Sequence, residues 1–168
     1  MIIVVIGQSG AGKTTFVKET FMRGETHIVE DIVPYTQTEE YAVVGKYYIG
    51  KRTEGTDTLS YNSQEKIRQL VQKLVKEGKD VILEGDRINN RTTFAFLSML
   101  KVPVKMFLVT CRLETSMLRL RSAGSEITET FVKATRTKSH NNFKKWRKRF
   151  NGEVVVTDAE GSREEEEI

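Results

Sequence analysis

Near the start of the chain, Gly7-Gln8-Ser9-Gly10-Ala11-Gly12-Lys13-Thr14 sets glycines, a lysine and a hydroxyl at the spacing G-x-x-x-x-G-K-[ST]. That spacing serves the capture of a polyphosphate. Glycines let the backbone wrap closely round an anion, while successive N–H groups and the N-terminus of a following helix face it. Lys13 then reaches the β- and γ-phosphates, and the Thr14 hydroxyl ligates Mg²⁺. ATP and Mg²⁺ are the cofactors this pattern implies, with Gly7, Gln8, Ser9, Gly10, Ala11, Gly12, Lys13, Thr14 and Thr15 as the expected nucleotide-binding residues.

A second group stands at the end of the apolar run in VILEGDRI, where Glu84 and Asp86 flank Gly85 and precede Arg87. Carboxylates at the C-terminal edge of a parallel strand lie at the ligand crevice, beside such a loop. Glu84 or Asp86 can hold Mg²⁺, or accept a proton from an acceptor hydroxyl, with Asp86 slightly preferred. A third group is EGTDTLSYN, in which Asp57, Thr58 and their neighbours gather hydrogen-bonding side chains suited to reading a sugar or base. Asp57 is a further candidate base.

These groups need a scaffold that brings strand ends together. Residues 1–6 form a continuous β-branched run, the pattern of a strand buried on both faces. Helical periodicity follows at 13–22, then a strand at 26–33 ended by Pro34, and an irregular glycine- and aromatic-rich stretch to residue 62. Helices are expected at 63–77, capped by Gly78, and at 92–100, 114–121 and 127–150; strands are expected at 80–83, 104–110 and 153–157. Strands alternating with helices give an α/β class with a parallel sheet and helices on both faces.

At 168 residues the chain suits one domain, with 38% hydrophobic and 30% charged residues. No apolar run reaches the roughly 18 residues of a membrane helix, and MIIVVIG is too short for a signal-peptide core. Cys111 has no partner for a disulfide and no zinc-spaced cluster is present, so a cytosolic protein is expected, without a membrane association. The net charge is +4, although REEEEI concentrates four glutamates at the C-terminus, read as an acidic tail over 161–168. The remaining body is basic enough to favour an anionic partner. Its cations gather in KSHNNFKKWRKRF, where Phe143, Trp146 and Phe150 share one helical face and point to the core. Arg136, Lys138 and the lysines and arginines beyond them are left for solvent or for a phosphate backbone.

The loop and the strand–helix alternation resemble the P-loop kinases of the nucleoside, nucleotide and polynucleotide kinase group. The resemblance implies a single domain over 1–160 with a substrate-binding insertion at about 34–62 and a lid at about 121–140. It places Arg119 and Arg121 on the helix leading to that lid, as cations for the transferred phosphoryl, and Asp31 in a position similar to that of the catalytic base. Within that group, GKYYIGKRTEGTDTLSYN and the basic helix look like phage enzymes that phosphorylate 5-hydroxymethyluracil in DNA. That likeness implies a DNA substrate along the basic strip, a location in the host cytoplasm and a modified base brought to Asp31 or Asp86. With the motifs above, the expected substrate contacts are Asp57, Thr58, Arg87, Arg136 and Lys138, and the expected catalytic residues are Lys13, Asp31, Asp86, Arg119 and Arg121. A kinase of free nucleosides or nucleoside monophosphates, and a nucleotide-gated binding module, remain the alternatives; the oligomeric state is not legible.

Overall fold

Ile2–Ile6 (β1) has every side chain buried, which requires cover on both faces of the sheet. Its even residues Ile2, Val4 and Ile6 enter one core, and its odd residues Ile3 and Val5 enter the other, as the two-residue period of a strand demands. The structure is a computed structural model describing residues 1–50 and 53–158; the expected acidic tail at 161–168 lies outside the described residues.

After β1 come α1 (Lys13–Phe21), β2 (His27–Val29), β3 (Tyr35–Gln37), β4 (Tyr41–Val44), α2 (Gln64–Lys76), β5 (Asp80–Glu84), α3 (Arg91–Met99), β6 (Val104–Thr110), α4 (Leu113–Ser122), α5 (Glu129–Trp146) and β7 (Glu153–Val156). The sheet order is β2-β3-β4-β5-β1-β6-β7. Strands β4, β5, β1, β6 and β7 run parallel, so β1 is central and its C-terminal end lies where the chain switches direction across the sheet.

The expected α/β class, with helices on both faces of a mainly parallel sheet, is observed, and two details differ. The sheet is not parallel throughout, because β2 and β4 both pair antiparallel with β3. The links between these strands are far too short for a crossover helix, which leaves only hairpin pairing. The stretch after Pro34 is also not wholly irregular, since it contains β3 and β4. Strands of three and four residues carry too little alternation to stand out beside Pro34 and Gly45.

Helices cover both faces. On one, α2 contributes Ile67, Leu70, Val71 and Leu74, α3 contributes Phe94 and Leu97, and α5 contributes Phe143; on the other, α1 contributes Val17. Gly78 follows α2 with φ 77°, the left-handed residue that a helix C-terminus favours. Within the first core Trp146 stacks on Phe150 with ring centroids 5.3 Å apart, and both lie against Phe94. The aromatic face of the basic strip is therefore consumed by the core.

Helix α5 runs the height of the sheet. Near its start the Thr135 hydroxyl accepts from Ser9 N in the glycine loop, and beyond its end Phe150 O accepts from Met106 N near the beginning of β6. Lys144, Lys145, Arg147, Lys148 and Arg149 are exposed and sit toward the edge opposite the glycine loop. Truncating the fully buried Phe143 to Ala is expected to cost roughly 3–5 kcal/mol in urea denaturation, whereas Lys148→Ala is expected to stay within about 0.5 kcal/mol of the parent. Equal effects from the two would mean that α5 does not pack as described.

Candidate active site

The loop between β1 and α1 is shaped by close approaches. A Cβ on Gly7 would stand 2.1 Å from Val109 O, so only glycine lets the chain leave β1 so near β6. Gly10 (φ 77°) and Gly12 (φ 93°) take left-handed conformations, and Gly12 caps α1. Gln8 points inward, its Nε2 donating to Cys111 O at 2.7 Å and to Ser116 Oγ at 3.3 Å, which fixes the loop against the start of α4. Lys13 folds back, donating to Gly7 O and Gln8 O at 3.0 Å each. Those carbonyls hold the ammonium over the hollow of the loop, where a phosphate would meet it.

Glu84 is the carboxylate nearest this loop. Thr14 Oγ1 donates to its Oε1 at 3.2 Å, and the buried Tyr47 hydroxyl donates to its Oε2 at 2.6 Å. Burial pushes the Glu84 carboxyl up to about 7, while Tyr47, Lys13 and Thr14 pull it back and Asp57 adds to the rise. Burial likewise drives the Tyr47 phenol well above its usual range. Sequence reasoning missed Tyr47, which was one of several aromatics in an apparently irregular stretch.

A short strap from Thr53 to Thr58 crosses the C-terminal end of β5. Thr56 Oγ1 donates to Glu84 O at 2.7 Å, and Asp57 Oδ1 accepts from Asp86 N at 3.1 Å and Arg87 N at 3.2 Å. Gly55 is required where the strap passes Glu84, because its Cβ would fall 2.5 Å from Glu84 Oε2. Glu54 pairs with Lys18 of α1 and so anchors the strap over the loop. Nothing in residue spacing announced Glu54.

Three hollows meet here. The first, about 270 Å³, is bounded by Lys13, Thr14, Glu84, Glu54 and Asp57. It shares Gly10, Gly12, Thr15 and Leu120 with a second of about 760 Å³, walled by Phe16, Arg119, Val155 and Thr157. Through Thr53 and Asp57 it meets a third of about 550 Å³, which Thr58 also lines. The three hollows thus form one continuous groove, with a space on either side of the glycine loop.

The other expected site residues are placed less centrally. Asp86 lies 2.8 Å from Lys138 Nζ, an ion pair without hydrogen-bond geometry that ties α5 to the end of β5. Arg87 Nε donates to Leu59 O, and its guanidinium covers the Tyr61 ring at 3.6 Å. Arg119 donates to Gly10 O, Ala11 O and Thr157, which makes it a brace beneath the loop. Arg121 is exposed, and its side chain pairs with no described residue. Arg136 is half-buried beside His140, which burial first, then Arg136 and Lys144, press down to about 4. Asp31 lines none of the three hollows; it pairs with Lys73 of α2, which holds its carboxyl low.

No family model matches the chain, and no curated protein matches it. Solved structures similar to it include deoxyadenosine kinase from M. mycoides with bound dCTP, at 16% identity over 100% of both chains and a TM-score of 0.47. The same enzyme with bound dATP aligns at 14% identity over 99% of this chain and 97% of that one, with a TM-score of 0.49.

The Glu84 environment has a consequence for stability. A carboxyl raised from 4.5 to about 7 on folding favours the folded state fully below 4.5, and that contribution is lost as pH climbs through about 7. Thermal unfolding without ligand between pH 4.5 and 8 is expected to show Glu84→Gln gaining on the parent by on the order of 3 kcal/mol across the range. A difference independent of pH would mean that folding leaves the Glu84 carboxyl unshifted.

Proposed function

We propose that the protein is an ATP-dependent phosphotransferase acting on a hydroxyl of a nucleoside-type acceptor. The observation that carries this reading is the sequence of hollows: donor-base space, glycine loop with Lys13 and Thr14, and acceptor space, with Asp57 at the junction of the last two. Lys13 would turn from Gly7 O and Gln8 O to the β- and γ-phosphates, and the loop N–H groups would hold the same oxygens. Thr14 and Glu84, 3.2 Å apart, suit Mg²⁺. No group of three metal-ligating side chains is present among the described residues, and Mg²⁺ beside phosphates needs only one or two protein ligands with water. Bound there, it would supply neutralisation of the charge on the β- and γ-phosphates.

Asp57 is best placed to orient the acceptor hydroxyl and accept its proton. Two backbone N–H groups fix Oδ1, leaving Oδ2 directed by the carboxyl plane rather than by a flexible contact; its one backbone neighbour is Asp86 N at 3.4 Å. Phe16, held against Phe107 at 5.2 Å, and the flat guanidinium of Arg119 would bracket the donor base.

A second reading names the acceptor as 5-hydroxymethyluracil within DNA. It is favoured by the exposed cations from Lys144 to Arg149, a stretch without a single acidic residue. Because these lie toward the edge of the sheet away from the loop, DNA held by them would have to extend along α5 to reach Asp57.

Labelled γ-phosphate transfer tests both readings, using hydroxymethyluracil-containing duplex, ordinary duplex, free nucleosides and nucleoside monophosphates. Label confined to the modified duplex supports the DNA reading; label only in a free nucleoside or nucleotide removes it. Lys13→Ala is expected to lower kcat/KM roughly 10²- to 10³-fold. Asp57→Asn is expected to lower kcat by roughly 10²- to 10⁴-fold with ATP affinity retained. Full turnover in Asp57→Asn would remove Asp57 from the reaction.

A further inference from the structure

The acceptor space has a charge pattern of its own. Pro34 and Leu59 give it apolar walls, Thr58 and Ser60 add hydroxyls, Asp57 stands at its junction with the phosphate groove, and Lys46 is the cation on its wall among the described residues. Lys46 does not line the phosphate groove, so its charge is not placed to serve the donor.

The backbone at Lys46 is fixed from both sides. Gly45 takes a left-handed conformation (φ 97°), and a Cβ there would meet Gly55 O at 2.0 Å, so β4 ends pressed against the strap. Lys46 N donates to Thr58 Oγ1 at 3.3 Å, and Lys46 O accepts from Gly55 N at 3.1 Å. Its side chain is 39% exposed, and the nearest acid is Glu30 Oε1 at 3.8 Å, on a side chain itself 74% exposed. An ion pair that long and that wet contributes little, leaving the ammonium available to another anion.

We propose that Lys46 binds an anionic group on the acceptor, so that the preferred substrate carries a phosphate as well as the hydroxyl to be phosphorylated. The inference rests on the phosphotransferase reading above and makes Lys46 a specificity-determining residue. The hydroxyl would lie at Asp57 and the phosphate at Lys46, at different parts of a space of about 550 Å³, enough for one nucleoside unit. Either the 5′-phosphate of a free nucleotide or the phosphodiester of a strand supplies that chemistry.

The test is calorimetric binding to the parent, Lys46→Met and Lys46→Arg. The probes are the four deoxynucleosides and 5-hydroxymethyldeoxyuridine, each as nucleoside, 5′-monophosphate and trinucleotide. A non-hydrolysable ATP analogue with Mg²⁺ first fills the glycine loop, so that a monophosphate cannot bind there. No binding of the analogue would count against the phosphotransferase reading, and the Lys46 comparison would then be made on unliganded protein. At least tenfold tighter binding of a phosphate-bearing form than of its nucleoside is expected in the parent. Lys46→Met should abolish that preference with nucleoside affinity unchanged, and Lys46→Arg should keep it. Preference for the monophosphate identifies a free nucleotide, and preference for the trinucleotide identifies a strand. Binding of both phosphate-bearing forms no tighter than that of the nucleoside, loss of nucleoside and phosphate-bearing forms alike in Lys46→Met, or binding of no phosphate-bearing probe would overturn the proposal.

Discussion

A carboxylate buried at a strand end has to be satisfied at both oxygens, and the partners of Glu84 organise the rest of the site. Oε1 takes the Thr14 hydroxyl and so ties β5 to the glycine loop, while Oε2 takes the Tyr47 hydroxyl and so ties β5 to the segment following β4. An unpartnered group there would cost more than either hydrogen bond contributes. Tyr47 in turn has to be covered, and the strap does so only because Gly55 lacks a side chain at the point of crossing. Once the strap lies there, Asp57 reaches the backbone of Asp86 and Arg87, and the third hollow acquires its wall.

The phosphate loop was legible because its chemistry is local: glycines, lysine and threonine act within one turn of chain, and their spacing survives any tertiary arrangement. The central strand and α2 were legible for a similar reason, since burial on two faces and helical periodicity both write themselves into consecutive residues. The half beyond Glu84 was legible only in part: Asp57 and Thr58 stood out as hydrogen-bonding side chains, whereas Tyr47 and Glu54 did not. Tyr47, after β4, and the strap that carries Glu54 and Asp57 are brought to Glu84 along a path that depends on left-handed glycines at 45 and 55, and no periodicity signals such a path. Asp31, expected as a candidate base, stands just beyond β2 at one edge of the sheet and pairs with Lys73, an arrangement that no residue spacing signals.

The basic strip divides along its length. Its aromatic side closes the core between α3 and α5, its first cations meet Asp86 and His140 near the glycine loop, and its densest charge stands at the far edge of the sheet. Arginines expected to stabilise a transferred phosphoryl divide as well. Arg119 is committed to loop carbonyls and Thr157, which makes it part of the floor on which a donor base would rest, whereas Arg121 faces solvent.

That floor joins distant parts of the chain. Thr157 Oγ1 donates to Ala11 O at 2.7 Å, and Arg119 bridges the two. A growing polypeptide emerges with its glycine loop first and this threonine nearly one hundred and fifty residues later, so the loop exists throughout synthesis without its support. The hollow walled by Val155 and Thr157 is therefore completed last, and a ribosome-bound or clipped chain would hold the glycine motif without that wall.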